Sequence, residues 1–167
     1  LSFYFIQKNT IASERVKRIC RHLSENHKLK VFTTKTEPYK NLENKNTEIL
    51  FSKVFFKKYL FRDYNSQNHN LISLKNLFPK IISKILGDSG WTWFWPLRNS
   101  IRKEIKKEGK PDLIIASGSP FLPFFLCFLL KIKYKIPYIL DYRDAWTRNP
   151  NREKRNQIFK IFPRIIE

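Results

Sequence analysis

Apolar and polar positions near the start of the chain alternate in a strand, helix, strand order. The run at 2–7 is rich in β-forming residues, 14–27 places apolar residues at i, i+3, i+4 and i+7, and 29–35 is strand-like again. Such a β-α-β order predicts two neighbouring parallel strands joined by a right-handed crossover.

The middle of the chain has a weaker pattern. It predicts a strand at 49–56, a helix at 71–86 that Pro79 must start or bend, and a helix at 91–109 with Pro96 in its first turn. The second of these helices has apolar residues on one face and a basic outer face.

The last third has the clearest pattern. It predicts a strand within 111–120, a buried helix at 121–133, a second strand at 137–143 and a helix in the tail at 151–167. Both strands are continuous apolar runs, which is typical of parallel strands that are covered on both faces. The sequence therefore predicts one α/β domain over 1–167, with an open parallel sheet and helices on both faces.

In such a sheet, ligands bind outside the carboxyl ends of the strands, where neighbouring loops diverge. Three loops are predicted to converge there, at 7–13, 117–120 and 142–146. The candidate substrate-binding residues in these loops are Lys8, Asn9, Ser13, Ser117, Gly118, Ser119, Tyr142 and Trp146.

The loop "ASGSP" presents hydroxyls and a glycine at the start of a helix, where free N–H groups favour an anion or sugar hydroxyls. The alternative is structural: Ser119 caps the helix and Pro120 occupies its first position. In the next loop, Arg143 offers a planar fork for phosphate or carboxylate and Asp144 an acceptor for substrate hydroxyls. Their alternative is an internal ion pair that pins the loop.

The net charge is +19, from 33 Lys and Arg against 14 Asp and Glu. Such a surface attracts phosphates, nucleic acid or an anionic membrane. The excess of Lys, Asn, Ile and Phe also matches the composition that an AT-rich genome produces, which is a competing explanation.

The sequence contains few recognisable motifs for catalytic or metal sites. The two cysteines, Cys20 and Cys127, lie in apolar helical patterns, which indicates buried free thiols and neither a disulfide framework nor a metal site. GxGxxG, P-loop, GxSxG and HExxH motifs are absent from the sequence. The run at 121–130 is about half of the ~20 residues that span a bilayer, so a core helix is expected, with a membrane-dipping segment as the alternative.

The segments "PDLIIASGSP" and "IPYILDYRDAW", joined by an apolar helix, resemble the amino-terminal domain of family 4 glycosyltransferases, which have the two-domain GT-B fold. The resembling subgroup ends this strand in D-x-R-D-x-W. The opening "ASERVKRICRHLSENHKLKVFTTK" and the helix "WTWFWPLRNSIRKEIKKEGKPD" are similar to the corresponding parts of the family. The resemblance covers roughly the first 35 residues and 88–150.

The resemblance implies a Rossmann-like, acceptor-binding amino-terminal domain, with the donor-binding carboxy-terminal domain absent from this chain. It implies transfer from a nucleotide-sugar cosubstrate to a lipid-linked or polysaccharide acceptor, with no other cofactor and no metal. Catalysis is assigned to Asp144 and Arg143. The chain departs from the family's pattern in two places. Its first loop, "KNTIAS", lacks the glycines that many members have near the donor phosphates. At the position of Arg143, many members have a histidine.

The implied location is cytoplasmic and peripheral, at the inner face of the cytoplasmic membrane, with the anionic surface as partner. The basic residues expected to face it are Lys103, Lys106, Lys107, Lys131, Lys133 and Lys135. The glycosyltransferase hypothesis predicts no nucleic-acid partner. Two rival hypotheses remain: a non-catalytic scaffold with the same fold, and a nucleic-acid-binding domain. The second needs exposed tryptophans at 91, 93 and 95 on which bases can stack.

Overall fold

The structure, a computed structural model, describes residues 1–2, 5, 11–34, 45–56, 74–86, 88–118 and 120–142. The helices in these ranges are α1 (Ile11–Leu23), α2 (Leu74–Ile85), α3 (Trp91–Glu108) and α4 (Leu122–Tyr134). The strands are β1 (Leu29–Thr34), β2 (Thr47–Ser52), β3 (Ile114–Ser117) and β4 (Tyr138–Asp141). The chain is a mixed α/β protein, as predicted. The predicted helix at 151–167 lies outside the described residues.

The four strands form two parallel pairs, β1 with β2 and β3 with β4. Residues 1–2 lie between the pairs. The Ser2 N–H donates to the Phe32 carbonyl of β1 at 3.1 Å, and Ser2 forms a parallel bridge with Ser117 of β3. The Ser117 N–H in turn donates to the Leu1 carbonyl at 3.0 Å. Backbone hydrogen bonds therefore run in the order β2, β1, residues 1–2, β3, β4.

Helices cover both faces of β1. Val31 belongs to a small apolar cluster with Val16 of α1, whereas the next residue, Phe32, belongs to the main core with Trp93 of α3 and Leu126 of α4. Successive side chains of a strand point to opposite faces, so the two clusters lie on opposite sides of the strand. Both faces of β1 are therefore covered, although the sequence pattern indicated covered faces for the strands at 111–120 and 137–143.

The predicted position of Pro96 is wrong. Because α3 begins at Trp91, Pro96 is its sixth residue and lies beyond the first turn. Proline has no N–H to donate to the carbonyl four residues earlier, which here is that of the buried Thr92. The Phe55 N–H donates to this carbonyl instead, at 2.9 Å. A loop segment thus supplies the hydrogen bond that the proline removes from the helix.

The apolar run at 121–130 is a core helix over most of its length, as expected. Leu126 and Cys127 of α4 are fully buried, whereas Phe128 and Ile132 on its outer side are exposed. Among the described residues, no helix combines the length and hydropathy needed to cross a bilayer. The strand after α4 is less buried than predicted, because Ile139 in the middle of β4 is exposed.

Candidate functional site

Asp141 and Ser117 lie side by side where β4 and β3 end. They are register partners in the parallel pair, so both strands present a polar side chain at the same edge. The Ser117 hydroxyl donates to Asp141 Oδ2 at 2.9 Å, and the Gly118 N–H donates to the Asp141 carbonyl at 3.2 Å. The start of the predicted loop at 117–120 is thereby fixed against the end of β4.

Arg15 brings α1 to the same place. Its Nη2 donates to Asp141 Oδ1 at 2.5 Å, so each oxygen of the carboxylate accepts one hydrogen bond. The Asp141 side chain is 14% exposed and that of Arg15 is 51% exposed. The guanidinium has further donors, which in this half-exposed position are accessible to an anionic or hydroxylated ligand. The carboxyl ends of β3 and β4 and the first turns of α1 meet here, and we call Asp141, Ser117 and Arg15 the carboxyl-end cluster.

An aromatic group borders this cluster. The Tyr142 ring stacks on that of Phe121 at a centroid distance of 6.0 Å and meets the edge of Phe124 at 4.7 Å. A Cβ at Gly118 would lie 2.6 Å from the Phe121 ring, so only glycine fits beneath it. Because Tyr142 itself is partly exposed, its ring offers an apolar surface beside the polar groups of Asp141 and Ser117.

The start of α4 is already capped by a carboxylate of the protein. Oδ2 of the buried Asp88 accepts hydrogen bonds from the N–H groups of Phe121 and Leu122, at 2.6 and 2.7 Å. This carboxylate occupies the position at which a ligand anion was expected. The structural alternative placed Pro120 at the first position of the helix. This is wrong, because the helix begins at Leu122. Asp88 is distant in sequence from α4, and no local pattern indicates this role.

Four of the predicted site residues are among those described: Ser117, Gly118, Tyr142 and Ser13. Ser13 was expected in a loop but lies in the first turn of α1, which begins at Ile11. It is buried, and its hydroxyl donates to the Phe5 carbonyl at 3.0 Å. The other predicted site residues lie outside the described residues; they are Lys8, Asn9, Ser119, Arg143, Asp144 and Trp146.

Sequence reasoning assigned no role to Arg15, and none to Asp141 although it begins the D-x-R-D-x-W motif. Asp141 could have been found, because a carboxylate that ends a buried strand lies at the edge where ligands bind. Arg15 carries no such signal, since it is one of several basic residues on an amphipathic helix.

A second charged group lies at the amino ends of the strands. Lys30 Nζ contacts the carboxylates of Glu104 and Glu108 on α3 and lies 3.4 Å from that of Glu48 on β2. Lys107 also pairs with Glu108 at 3.0 Å. We call Lys30, Glu48, Glu104 and Glu108 the amino-end cluster.

The three carboxylates of the amino-end cluster lie close enough to bind one cation, and the Lys30 ammonium occupies that role. Although partial burial opposes its charged form, hydrogen bonds to Glu104 and Glu108 raise the pKa of Lys30. Hydrogen bonds from Lys30 and Lys107 lower the pKa of Glu108 to about 2. Each carboxylate of this cluster is thus paired with a lysine of the protein.

A cavity of about 1180 Å³ runs along α1 and the amino ends of β1 and β3. It reaches from the amino-end cluster to Ser117 and Asp141, and apolar side chains such as Val16 and Leu23 line much of it. Most of its lining therefore comes from the end of the sheet opposite to the predicted ligand crevice.

The tryptophans at 91, 93 and 95 do not form a platform for bases. Trp93 is 1% exposed, and its indole N–H donates to Ser52 Oγ at 2.5 Å. Trp91 is half-buried and donates to Ser83 Oγ at 2.9 Å. Only Trp95 of the three is exposed. Base stacking requires open ring faces, so the nucleic-acid alternative loses two of its three predicted contacts.

Comparisons of the chain with protein-family models, with curated proteins and with solved structures gave no match.

Proposed function

We propose that the chain is the acceptor-binding amino-terminal domain of a family 4 glycosyltransferase with the GT-B fold. The parent enzyme transfers a sugar from a nucleotide-sugar donor to a lipid-linked or polysaccharide acceptor in cell-envelope glycan synthesis. The observation that carries this proposal is the position of Asp141. The first residue of the D-x-R-D-x-W motif ends β4 and holds both Ser117 and Arg15 at the carboxyl ends of the strands.

The order of the backbone hydrogen bonds supports a Rossmann-like sheet. Residues 1–2 lie between β1, which follows them in the chain, and β3, which comes much later. The connections from this first segment therefore run in opposite directions along the sheet. In open parallel sheets, such a reversal of strand order opens a crevice at the carboxyl ends of the strands, here beside the segment of residues 1–2. Ser117, at one side of this reversal, belongs to the carboxyl-end cluster.

The residues of the site have distinct roles in the proposed reaction. Asp144 accepts a hydrogen bond from the acceptor hydroxyl and takes its proton as the hydroxyl oxygen bonds to the anomeric carbon of the donor sugar. The bond from that carbon to the phosphate oxygen breaks, and the nucleotide leaves with its electron pair. Arg143 binds a phosphate or carboxylate of the substrates through its planar fork. Asp141 positions the Ser117 hydroxyl, and Tyr142 offers an apolar surface for a sugar ring. The nucleotide sugar is held by the carboxy-terminal domain.

The acceptor class places this reaction at the inner face of the cytoplasmic membrane, with the enzyme bound peripherally. The net charge of +19 supports this location, since each basic residue near an anionic leaflet adds about 1 kcal/mol of attraction.

The proposal is tested with the product of the complete gene, a panel of labelled nucleotide sugars and membrane-derived acceptors. Asp144→Asn keeps the size of the side chain but removes its charge, so transfer should fall sharply while the melting temperature barely changes. Arg143→Lys should also impair transfer, because an ammonium cannot reproduce a bidentate contact. Trp146→Ala is the control, and we expect it to lower the melting temperature, since truncation of a large aromatic side chain generally costs stability.

Two results would contradict the proposal. One is normal transfer by Asp144→Asn together with a strongly lowered melting temperature, as expected of a buried ion pair, whose disruption costs about 3–5 kcal/mol. The other is tight calorimetric binding of a nucleotide sugar by residues 1–167 alone. Under the proposal this part of the protein lacks the donor domain and should neither bind the donor well nor transfer sugar.

A further inference from the structure

Exposed apolar side chains lie on the outer sides of α3 and α4, and ring contacts through the buried Phe94 and the half-buried Phe125 connect them. Neighbouring rings connect Trp95 to Phe94, Phe125 and Phe128, with successive centroid distances of 5.4, 6.3 and 6.2 Å. Ile132 follows Phe128 by one helical turn, so it extends the same stripe. Trp95, Phe128 and Ile132 are 54%, 46% and 55% exposed. We call these five residues the aromatic face.

Basic residues border the aromatic face on both helices. The Arg98 guanidinium lies 5.4 Å from the centre of the Trp95 ring, and Arg102 follows one turn later on α3. On α4, Lys131 is exposed next to Phe128 and Ile132 in the helical repeat, and Lys135 is exposed directly after the end of the helix.

Within the described ranges, acidic residues do not neutralise these cations. The sequence of α4 contains no Asp or Glu, and α3 contains only Glu104 and Glu108. Both of these carboxylates contact Lys30 of β1, on the side of α3 that packs toward the sheet. In the described part of the chain, the outer sides of α3 and α4 therefore combine exposed apolar groups with uncompensated positive charge.

We propose that the aromatic face docks on an anionic lipid bilayer, with Trp95, Phe128 and Ile132 entering the boundary between headgroups and acyl chains. Interfacial protein surfaces bind in this way, through shallow burial of apolar side chains and attraction of Lys and Arg to anionic headgroups. The long side chains of Arg98 and Lys131 keep their charges in the headgroup layer while their stems cover apolar surface.

The exposed aliphatic group favours a bilayer over a nucleic acid. Single-stranded nucleic acid gains from aromatic rings and cations but not from a branched aliphatic side chain. Ile132 is more than half exposed and becomes buried only against an apolar partner. The proposal rests on the membrane location in the proposed function and adds the surface that docks there. It does not depend on sugar transfer, and vesicle binding alone tests it.

The experiment measures co-sedimentation of residues 1–167 with vesicles of phosphatidylcholine in which roughly one third of the lipid is phosphatidylglycerol. Arg98→Gln with Arg102→Gln should weaken binding roughly 25-fold, since each cation contributes about a factor of five. The matched control, Arg18→Gln with Arg21→Gln, removes the same charge from exposed positions on α1 and should change binding less than about threefold.

The apolar contribution is tested by Ile132→Ser against Ile11→Ser, an exposed isoleucine at the start of α1. We expect the first to weaken binding about fivefold and the second to leave it unchanged. Brominated acyl chains should quench part of the tryptophan fluorescence, and Trp95→Phe should remove most of that quenching. Circular dichroism of each variant separates loss of binding from loss of folding.

Three outcomes would overturn the proposal. Equal weakening by the two arginine pairs would mean that net charge alone attracts the chain. Absence of binding by the folded wild-type chain would mean that another part of the protein covers the face. Displacement from vesicles by single-stranded DNA, with the same variant dependence for DNA binding, would assign the surface to nucleic acid.

Discussion

The carboxyl-end cluster and the amino-end cluster are both charged, but they are organised differently. In the amino-end cluster, one ammonium lies among three carboxylates, and each carboxylate of β2 and α3 is paired with that ammonium. In the carboxyl-end cluster, one mostly buried carboxylate binds a hydroxyl and a half-exposed guanidinium that retains free hydrogen-bonding capacity.

The difference follows from the geometry of parallel strands. In an open parallel sheet, loops diverge at the carboxyl ends where the strand order reverses, so polar groups at that edge are expected to border a crevice. At the amino ends, the end of α3 packs close to the first residues of β1, and its glutamates are held by Lys30. We therefore interpret the amino-end cluster as a stabilising contact and the carboxyl-end cluster as part of a binding site.

The largest effect is expected at Asp88, which caps α4 beside the carboxyl-end cluster. Asp88→Ala removes the acceptor of two N–H groups in a buried position and should lower the free energy of unfolding by about 3 kcal/mol in urea titrations. Asp88→Asn keeps an acceptor oxygen and should cost only about 1 kcal/mol. A Cβ at Gly90 would lie 2.8 Å from Asp88 Oδ2, so Gly90→Ala should also destabilise. Unchanged stability in Asp88→Ala would show that the cap is not structural.

Lys30→Met should destabilise the protein by about 1.5 kcal/mol without affecting a ligand at the carboxyl ends. The substitution leaves Glu48, Glu104 and Glu108 as close like charges. The loss should shrink at low pH, because protonation removes the repulsion. Lys103→Met, at an exposed position of the same helix, is the control and should change stability by less than about 0.5 kcal/mol. Lost sugar transfer by Lys30→Met in the complete protein would contradict a purely stabilising role.

Asp141→Asn should have the opposite effects from Lys30→Met, with little change in stability and a clear loss of transfer. The amide still accepts a hydrogen bond from Ser117, and the lost ion pair with the half-exposed Arg15 is worth less than about 1 kcal/mol. The sugar transfer that we propose for the complete protein should nevertheless fall at least tenfold, because Arg15 and Ser117 are no longer held by one charged group. Thermal melting and transfer are measured on the same preparations. Reduced stability with normal transfer would mean that the carboxyl-end cluster, like the amino-end cluster, only stabilises the fold.

The smallest effect is a pH dependence of stability that originates in the amino-end cluster. The pKa of Glu108 is about 2 in the folded chain, below its ordinary value of 4.5. Its contribution is therefore complete above pH 4.5 and is lost as the pH falls toward 2. Urea midpoints across this range should fall less steeply in Glu108→Gln than in the wild-type chain. Parallel curves for the two proteins would show that Glu108 makes no such contribution.

Local patterns predicted much of the secondary structure. Apolar periodicity located β1 and the inward face of α1, and continuous apolar runs located β3, α4 and β4. Boundaries were less well predicted: β2 begins at Thr47 and ends at Ser52, whereas the pattern placed it at 49–56. The exposure of Ile139 was also missed, because an apolar run does not reveal whether a strand has a neighbour on both sides.

The sequence by itself determined the α/β class, the parallel pairing of strands and the positions of Ser117, Gly118 and Tyr142 near one edge. These properties depend on the period of apolar residues and on the rule that parallel strands end at the same side. Only the tertiary structure decided which distant groups meet: Arg15 with Asp141, Asp88 with the start of α4, and Lys30 with the glutamates of α3. Pairs of this kind depend on how helices pack against the sheet, and a single Arg, Asp or Lys shows no periodicity that identifies its partner.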